Sequence, residues 1–279
     1  MDNPRVGSES GEPVFQPFGG NSAYTDRIAR VLVDQEIEEC FIAFPDLQAY
    51  ESRLAGCRVT AVDTLGKAML TRFDNGLSLY SHNQLYGRWY TNRRNTRPRT
   101  RRSLRVALHT GTHSARLYSA SDVDVLTAKQ ERKHPFLSKL GPDILDKALA
   151  ADEIIERLGA ERFRRRALGG LYLNQGFLAG IGNYLRSEIL FTAGLHPALR
   201  PVDLDAPQKK KLASETLRIS RRAYRKRGVT VSDALASEGK AQGAGFEQYR
   251  FWVFGREDAA CNVCGSEVVR TSVSSRGLF

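Results

Sequence analysis

Cysteine is scarce in this chain: four residues in 279, with Cys40 and Cys57 isolated and Cys261 and Cys264 forming a C-x-x-C pair. That usage excludes a disulfide framework of the kind that staples small secreted domains, and fits buried thiols plus a metal or redox pair. Long apolar runs are also missing, since none approaches the roughly 18 residues of a spanning helix. The first residues offer neither a basic start nor an apolar signal core, so the cytoplasm is the expected location. There are no internal repeats. Acidic residues are outnumbered, 31 Asp and Glu against 42 Lys and Arg, which gives a net charge of +11. A surface of that sign favours polyanions, nucleic acid first, over an undirected solubility charge. What is present in ordinary amounts is 41% hydrophobic and 26% charged residues, the balance of a soluble globular protein long enough for two domains.

Residues 1–25 are rich in Gly, Pro, Ser and Asn without helical or strand periodicity and read as a lead-in. Asp26 is placed to cap a short helix carrying Ile28, Val31 and Leu32 on one face. From Arg58 the pattern turns to short alternating runs, RVTAVDT, KAMLTRF, LSLYSH, LRVALHT and ARLYSA, broken by turn residues such as Asp74-Asn75-Gly76. That spacing predicts an antiparallel sandwich. Past His134 the period becomes helical, with starts expected at Pro142-Asp143, Asp152 and Asp205, the last opening a long basic helix that stops at Gly228. Val229–Gly245 reads as a loop, and YRFWVF, residues 249–254, as a strand leading into the cysteine pair. The expected fold is α+β, with divisions at 26–133 (sandwich), 134–235 (helical domain) and 236–279 (a truncated hairpin). The run TNRRNTRPRTRR carries six arginines from Arg93 to Arg102 and reads as a solvated hairpin loop, which one flank of a DNA channel would use equally well.

The most specific stretch is NQGFLAGIGNYLRSEILFTAGLHP, residues 174–197. Leu173, Phe177 and Leu178 share a face of a helix that cannot pass Gly180 and Gly182, and a second helix begins near Asn183 and ends at Gly194. The start of that second helix offers unpaired backbone N–H groups and the positive dipole end, Gly182 admits close approach, and the Asn183 amide can donate, so one phosphate fits there. A simple packing corner is the plainer reading of such a turn.

QGFLAGIGNYLRSEIL resembles the helix-two-turn-helix of the endonuclease VIII and formamidopyrimidine-DNA glycosylase family, with the closer likeness to endonuclease VIII. The resemblance continues through FPDLQAY, TLGKAMLTRF, SHNQLYGRW, LYSASD, HPFLSKLGPDILD and FWVF with its C-x-x-C, over about residues 26–279. It implies a base-excision-repair enzyme that removes oxidised bases, mainly pyrimidines, from duplex DNA and then cuts the strand at the abasic site, acting as a monomer. The target nucleotide is flipped out of the stack. Gln84, Leu85 and Tyr86 match the wedge that fills the gap, Lys67 the lysine beside the lesion sugar, Asn183 and Gly182 the phosphate turn, and Arg276 the fingertip arginine.

Both ends depart from the family pattern. Zinc (Zn2+) in the family's ribbon has four cysteine ligands; here Cys261 and Cys264 form a half site, and the spacing of the second pair runs past Phe279. Without metal the hairpin carrying Arg276 is expected to fray. The family's N-terminal proline nucleophile and adjacent glutamate fall on Gln16 and Pro17 when counted back from FPDLQAY, and Glu12 is the acid nearest that place. A catalytically inactive homologue that binds damaged DNA is therefore the alternative reading. Its location would be cytoplasmic, at the nucleoid if the source is bacterial.

Overall fold

The structure, a computed structural model, describes residues 22–83, 86–273 and 275–279. Eight strands build two antiparallel four-stranded sheets: β1 (Glu39–Ile42), β2 (Val59–Leu65), β3 (Ala68–Phe73), β4 (Leu77–His82), β5 (Arg88–Arg93), β6 (Leu104–His109), β7 (His113–Tyr118) and β8 (Asp122–Thr127). Their orders are β1-β6-β7-β5 and β2-β3-β4-β8. One core lies between them, where Met69, Leu79, Trp89, Val106, Leu108, Ala115, Leu117 and Val125 meet. Helix α1 (Ser22–Leu32) closes this core with Ile28 and Leu32, and α2 (Glu51–Leu54) adds Leu54. The predicted sandwich is thus present. Asp26 lies inside α1 rather than at its cap, and its carboxylate accepts a hydrogen bond from the Tyr224 hydroxyl at 2.7 Å.

A second core holds the helical part, which follows α3 (Ala128–Lys133). It comprises α4 (Ala151–Gly159), α5 (Glu161–Arg164), α6 (Leu168–Leu171), α7 (Asn183–Ala193) and α8 (Ala206–Arg225), with α9 (Asp233–Ala241) and α10 (Phe246–Tyr249) beyond. Ile154, Leu158, Phe177, Leu185, Ile189, Leu212 and Ile219 interlock there. Asp205 caps α8 as predicted, accepting from the Gln208 N–H at 2.7 Å. Helix α7 ends on Gly194 in the left-handed region, φ 70°.

Four sequence expectations fail here, the first three where a side chain takes backbone groups that the expected element would use, and the fourth where a cap starts a helix inside an expected loop. Asp143 opens no helix; its carboxylate accepts from the Gly66 and Leu145 N–H groups, both at 2.8 Å. Residues 173–178 form turns instead of a helix, with Arg157 donating to the Phe177 and Gly176 carbonyls at 2.8 and 2.7 Å. YRFWVF is not a strand: the buried Glu188 carboxylate accepts from the Trp252, Val253 and Phe254 N–H groups at 2.8, 3.0 and 3.0 Å. The expected 229–245 loop contains α9, started by Ser232, whose hydroxyl accepts from the Leu235 N–H. The chain finishes in a hairpin of β9 (Thr271–Val273) and β10 (Arg276–Leu278).

Candidate active site

The turn between β2 and β3 carries Gly66 and Lys67 and points at the glycine turn before α7. A β-carbon on Gly66 would stand 3.2 Å from the Ala179 Cβ, and one on Gly182 would stand 3.8 Å from the Lys67 Nζ. Gly66 has φ +61°, a conformation that L side chains rarely adopt, so glycine is required both by the backbone and by the close approach. Gln175 ties the glycine turn from within: its amide nitrogen donates to the Ile181 carbonyl at 3.0 Å and its oxygen accepts from the Gly180 N–H at 3.0 Å.

Lys67 is half-buried at this junction. Burial and the charge of Arg276 lower its pKa from 10.5 to about 8. Arg276 itself is exposed on β10, with no ion pair among the described residues. Three of the sequence-predicted residues, Lys67, Gly182 and Arg276, are therefore brought to one place. Asn183 is there too, but its amide is engaged: it donates to the Gly277 carbonyl at 2.8 Å and accepts from Arg186 at 2.6 Å. The side chain predicted to grip phosphate thus also ties the start of α7 to the hairpin that carries Arg276.

The register brings the end of β4 to the same place, since Ala68, next to Lys67, pairs with His82. Tyr86, just beyond, is 70% exposed. Gln84 and Leu85 lie outside the described residues, as do Glu12, Gln16 and Pro17.

Four site residues escaped the sequence reading. His82 sits between Asp122, 3.3 Å away, and the Phe136 ring it stacks on, and burial lowers its pKa. Asp143 bridges the two halves through Gly66. Gln175 lies inside the motif that was read for its glycines. Arg186 resembles a surface helix residue in NYLRSEIL, yet it is fully buried and donates to the Gly169 carbonyl at 2.9 Å and the Gly277 carbonyl at 3.1 Å.

Cys261 is buried and Cys264 exposed. Hydrogen bonds from Ser266 hold the Cys264 thiol below its ordinary pKa, and the Val263 N–H donates to the Cys261 sulfur at 3.4 Å. Among the described residues no third His, Cys, Asp or Glu joins the pair. Two thiols do not close zinc's tetrahedral shell, so the residues present do not fit a structural zinc site. The hairpin is nevertheless formed, contrary to the expected fraying. Asn183 and Arg186 bind Gly277, Leu278 is 1% exposed, and the Phe279 N–H donates to Ser187, so helix α7 supplies what metal was expected to supply.

Residues 22–122 match the formamidopyrimidine-DNA glycosylase N-terminal domain, and residues 140–234 the formamidopyrimidine-DNA glycosylase H2TH domain. The chain is 44% identical over 254 residues to Endonuclease 8 of Klebsiella pneumoniae, covering 91% of this chain and 93% of that one. Endonuclease 8 of Escherichia coli O17:K52:H18 is 45% identical over the same shares. Among solved structures, the Lactococcus lactis Fpg complex with DNA containing an abasic site superposes with a TM-score of 0.76 at 19% identity, covering 94% of this chain and 96% of that one. The complex of the same enzyme with DNA containing an oxidised pyrimidine also gives 0.76. Two matched domains on a shared architecture, and identity sustained along nearly the whole of both sequences, mean that this chain belongs to the formamidopyrimidine-DNA glycosylase and endonuclease 8 family.

Proposed function

We propose that this chain, a DNA glycosylase by family, excises oxidised bases, mainly pyrimidines, from duplex DNA and cuts the strand at the resulting abasic site. One observation carries the reading: an amine of lowered basicity, Lys67, stands among His82 at the end of β4, the start of α7 and the Arg276 guanidinium. With a pKa of about 8, roughly one Lys67 in ten is neutral at pH 7, against about one in several thousand for an ordinary lysine. A flipped nucleotide would lodge there with its phosphate toward Arg276 and the helix start.

The neutral Lys67 amine adds to the C1′ aldehyde of the ring-opened abasic sugar, forming the C–N bond. The carbonyl oxygen leaves as water, which yields an iminium. That cation acidifies C2′; its proton passes to solvent, and the C3′–O bond breaks with the phosphate as leaving group. Hydrolysis of the iminium returns the amine. All the groups named come from one chain, so a monomer suffices, and the substrate fits a cytoplasmic chain gathered at the nucleoid if the source is bacterial.

Borohydride delivers hydride to the iminium and fixes it as a stable amine. Incubation with duplex carrying an abasic site or an oxidised pyrimidine is expected to give a covalent adduct that maps to the peptide containing Lys67. The Lys67→Ala variant should trap at least a hundredfold less. Unaltered trapping in that variant removes Lys67 from the role, and duplex binding without any trapping would make the chain a damaged-DNA binder.

A further inference from the structure

The arginine run does not form the hairpin loop that its sequence suggests. Strands β5 and β6 do not pair; each flanks β7, so their connection must cross it. Arg93 lies opposite His113 at one end of β7, and Leu104 opposite Tyr118 at the other. Residues 94–103 therefore run the length of that strand, about 17 Å at the usual rise per residue. They run on its outer side. Ala115 and Leu117 point into the core, so Arg116, which alternates with them, faces outward under the strap.

The strap is fastened at both ends. Arg116, only 4% exposed, donates to the Thr96 carbonyl at 2.8 Å and the Arg94 carbonyl at 3.0 Å. The Arg94 N–H donates to Thr112 at 2.9 Å, and the Ser119 N–H donates to Ser103 at 2.8 Å. At the far end the Arg102 guanidinium donates to the Tyr86 carbonyl at 2.6 Å, which joins the strap to the wedge turn. Arg94 is matched by Glu38 at 2.6 Å and Glu39 at 3.7 Å. Arg93, Arg97, Arg99 and Arg101 are exposed, and among the described residues they have no acidic partner. A buried arginine thus pins down a loop whose exposed guanidiniums repel one another, an arrangement that a polyanion would relieve.

The end away from the wedge is concave. Glu39, Arg94, Asn95, Arg97, His109 and Arg116 line a polar pocket of about 320 Å³. Its cations outnumber the single carboxylate, so an anion is the favoured occupant.

We propose that the 94–103 strap is a second DNA-phosphate surface, continuous with the wedge, that leads a backbone strand from Tyr86 to the pocket beneath Arg97. The proposal rests on duplex DNA being the partner and does not depend on any lyase chemistry. Sequence-independent phosphate contact is what exposed guanidiniums without base-reading geometry supply.

The test uses the full chain and a duplex of about 30 base pairs with a central abasic site, because the reach of about 17 Å spans about five base pairs from the lesion. Binding is measured across a salt series for the unaltered chain, for Arg97→Gln/Arg99→Gln/Arg101→Gln, and for the matching triple lysine variant. Each lost phosphate contact reduces the slope of log K against log salt by about 0.9, so the glutamine variant is expected to lose about 2 to 3. The lysine variant should restore the slope, because it returns the charge. All three chains should melt together, since the substituted side chains are exposed, and the trapping rate at saturating duplex should be unchanged. An equal slope in the unaltered and glutamine chains overturns the proposal. Absence of trapping in the unaltered chain, with the slope difference intact, would overturn the lyase reading and leave this one standing.

Discussion

A half-buried ammonium facing the Arg276 guanidinium gives up its proton more readily than one in water, because both desolvation and the like charge penalise its charged form. The sign follows from proton counting. Between pH 8 and 10.5 the folded chain holds fewer protons at Lys67 than the unfolded one, so stability rises with pH across that window. Below pH 8 the full penalty of the buried charge is present. Nuclear magnetic resonance of the Lys67 side chain should give a titration midpoint near 8, and the trapping rate should rise through the same midpoint as the amine becomes neutral. In Arg276→Gln the midpoint should move upward, because one of its two causes is gone. A midpoint at the ordinary lysine value in the unaltered chain would leave Lys67 without the property that the mechanism uses. Asn183 shows the limit of reading single residues. Its place at the helix start was legible in the sequence, but the Gly277 carbonyl that claims its amide comes from 94 residues away and leaves no local mark.

Elements were legible where their own period or cap fixes them. The β2, β3 and β4 runs and the Asp205 cap of α8 were visible because alternation and capping are local. The FWVF segment misled because its β-forming side chains say nothing about where its N–H groups bond, and Glu188 on α7 takes three of them. Thr230 also donates its hydroxyl to that carboxylate. Burial raises the Glu188 pKa although these donors oppose the shift. Glu188→Ala should leave those N–H groups without acceptors, at about 1 to 3 kcal/mol for each one that water fails to reach. We expect a loss of at least about 3 kcal/mol in urea unfolding, together with faster hydrogen exchange at Trp252, Val253 and Phe254. Exchange unchanged at those three amides would mean that the carboxylate does not organise the segment.

At the scale of the molecule, the site lies where two separately built cores touch, and the Gly66 turn is one of their points of contact. Its N–H is held by Asp143 from the helical half, and its α-carbon faces Ala179 and Gly180. Gly66→Ala adds two penalties that must be separated, backbone strain at φ +61° and a β-carbon 3.2 Å from the Ala179 Cβ. Gly76 supplies the control, since it has φ +79° in the turn between β3 and β4 and nothing within 4 Å of the place a β-carbon would take. Both alanine variants should lose about 1 to 2 kcal/mol of stability through the left-handed backbone alone. Only Gly66→Ala should also push the two halves apart, moving Lys67 away from the α7 start and slowing borohydride trapping at least tenfold. Reaction at an active site is sensitive to displacements of about 1 Å, so a methyl group that displaces one half against the other is enough. If both variants trap at the same rate, the junction tolerates the methyl group, and the close approach of Gly66 to the glycine turn is not what sets the geometry of the site.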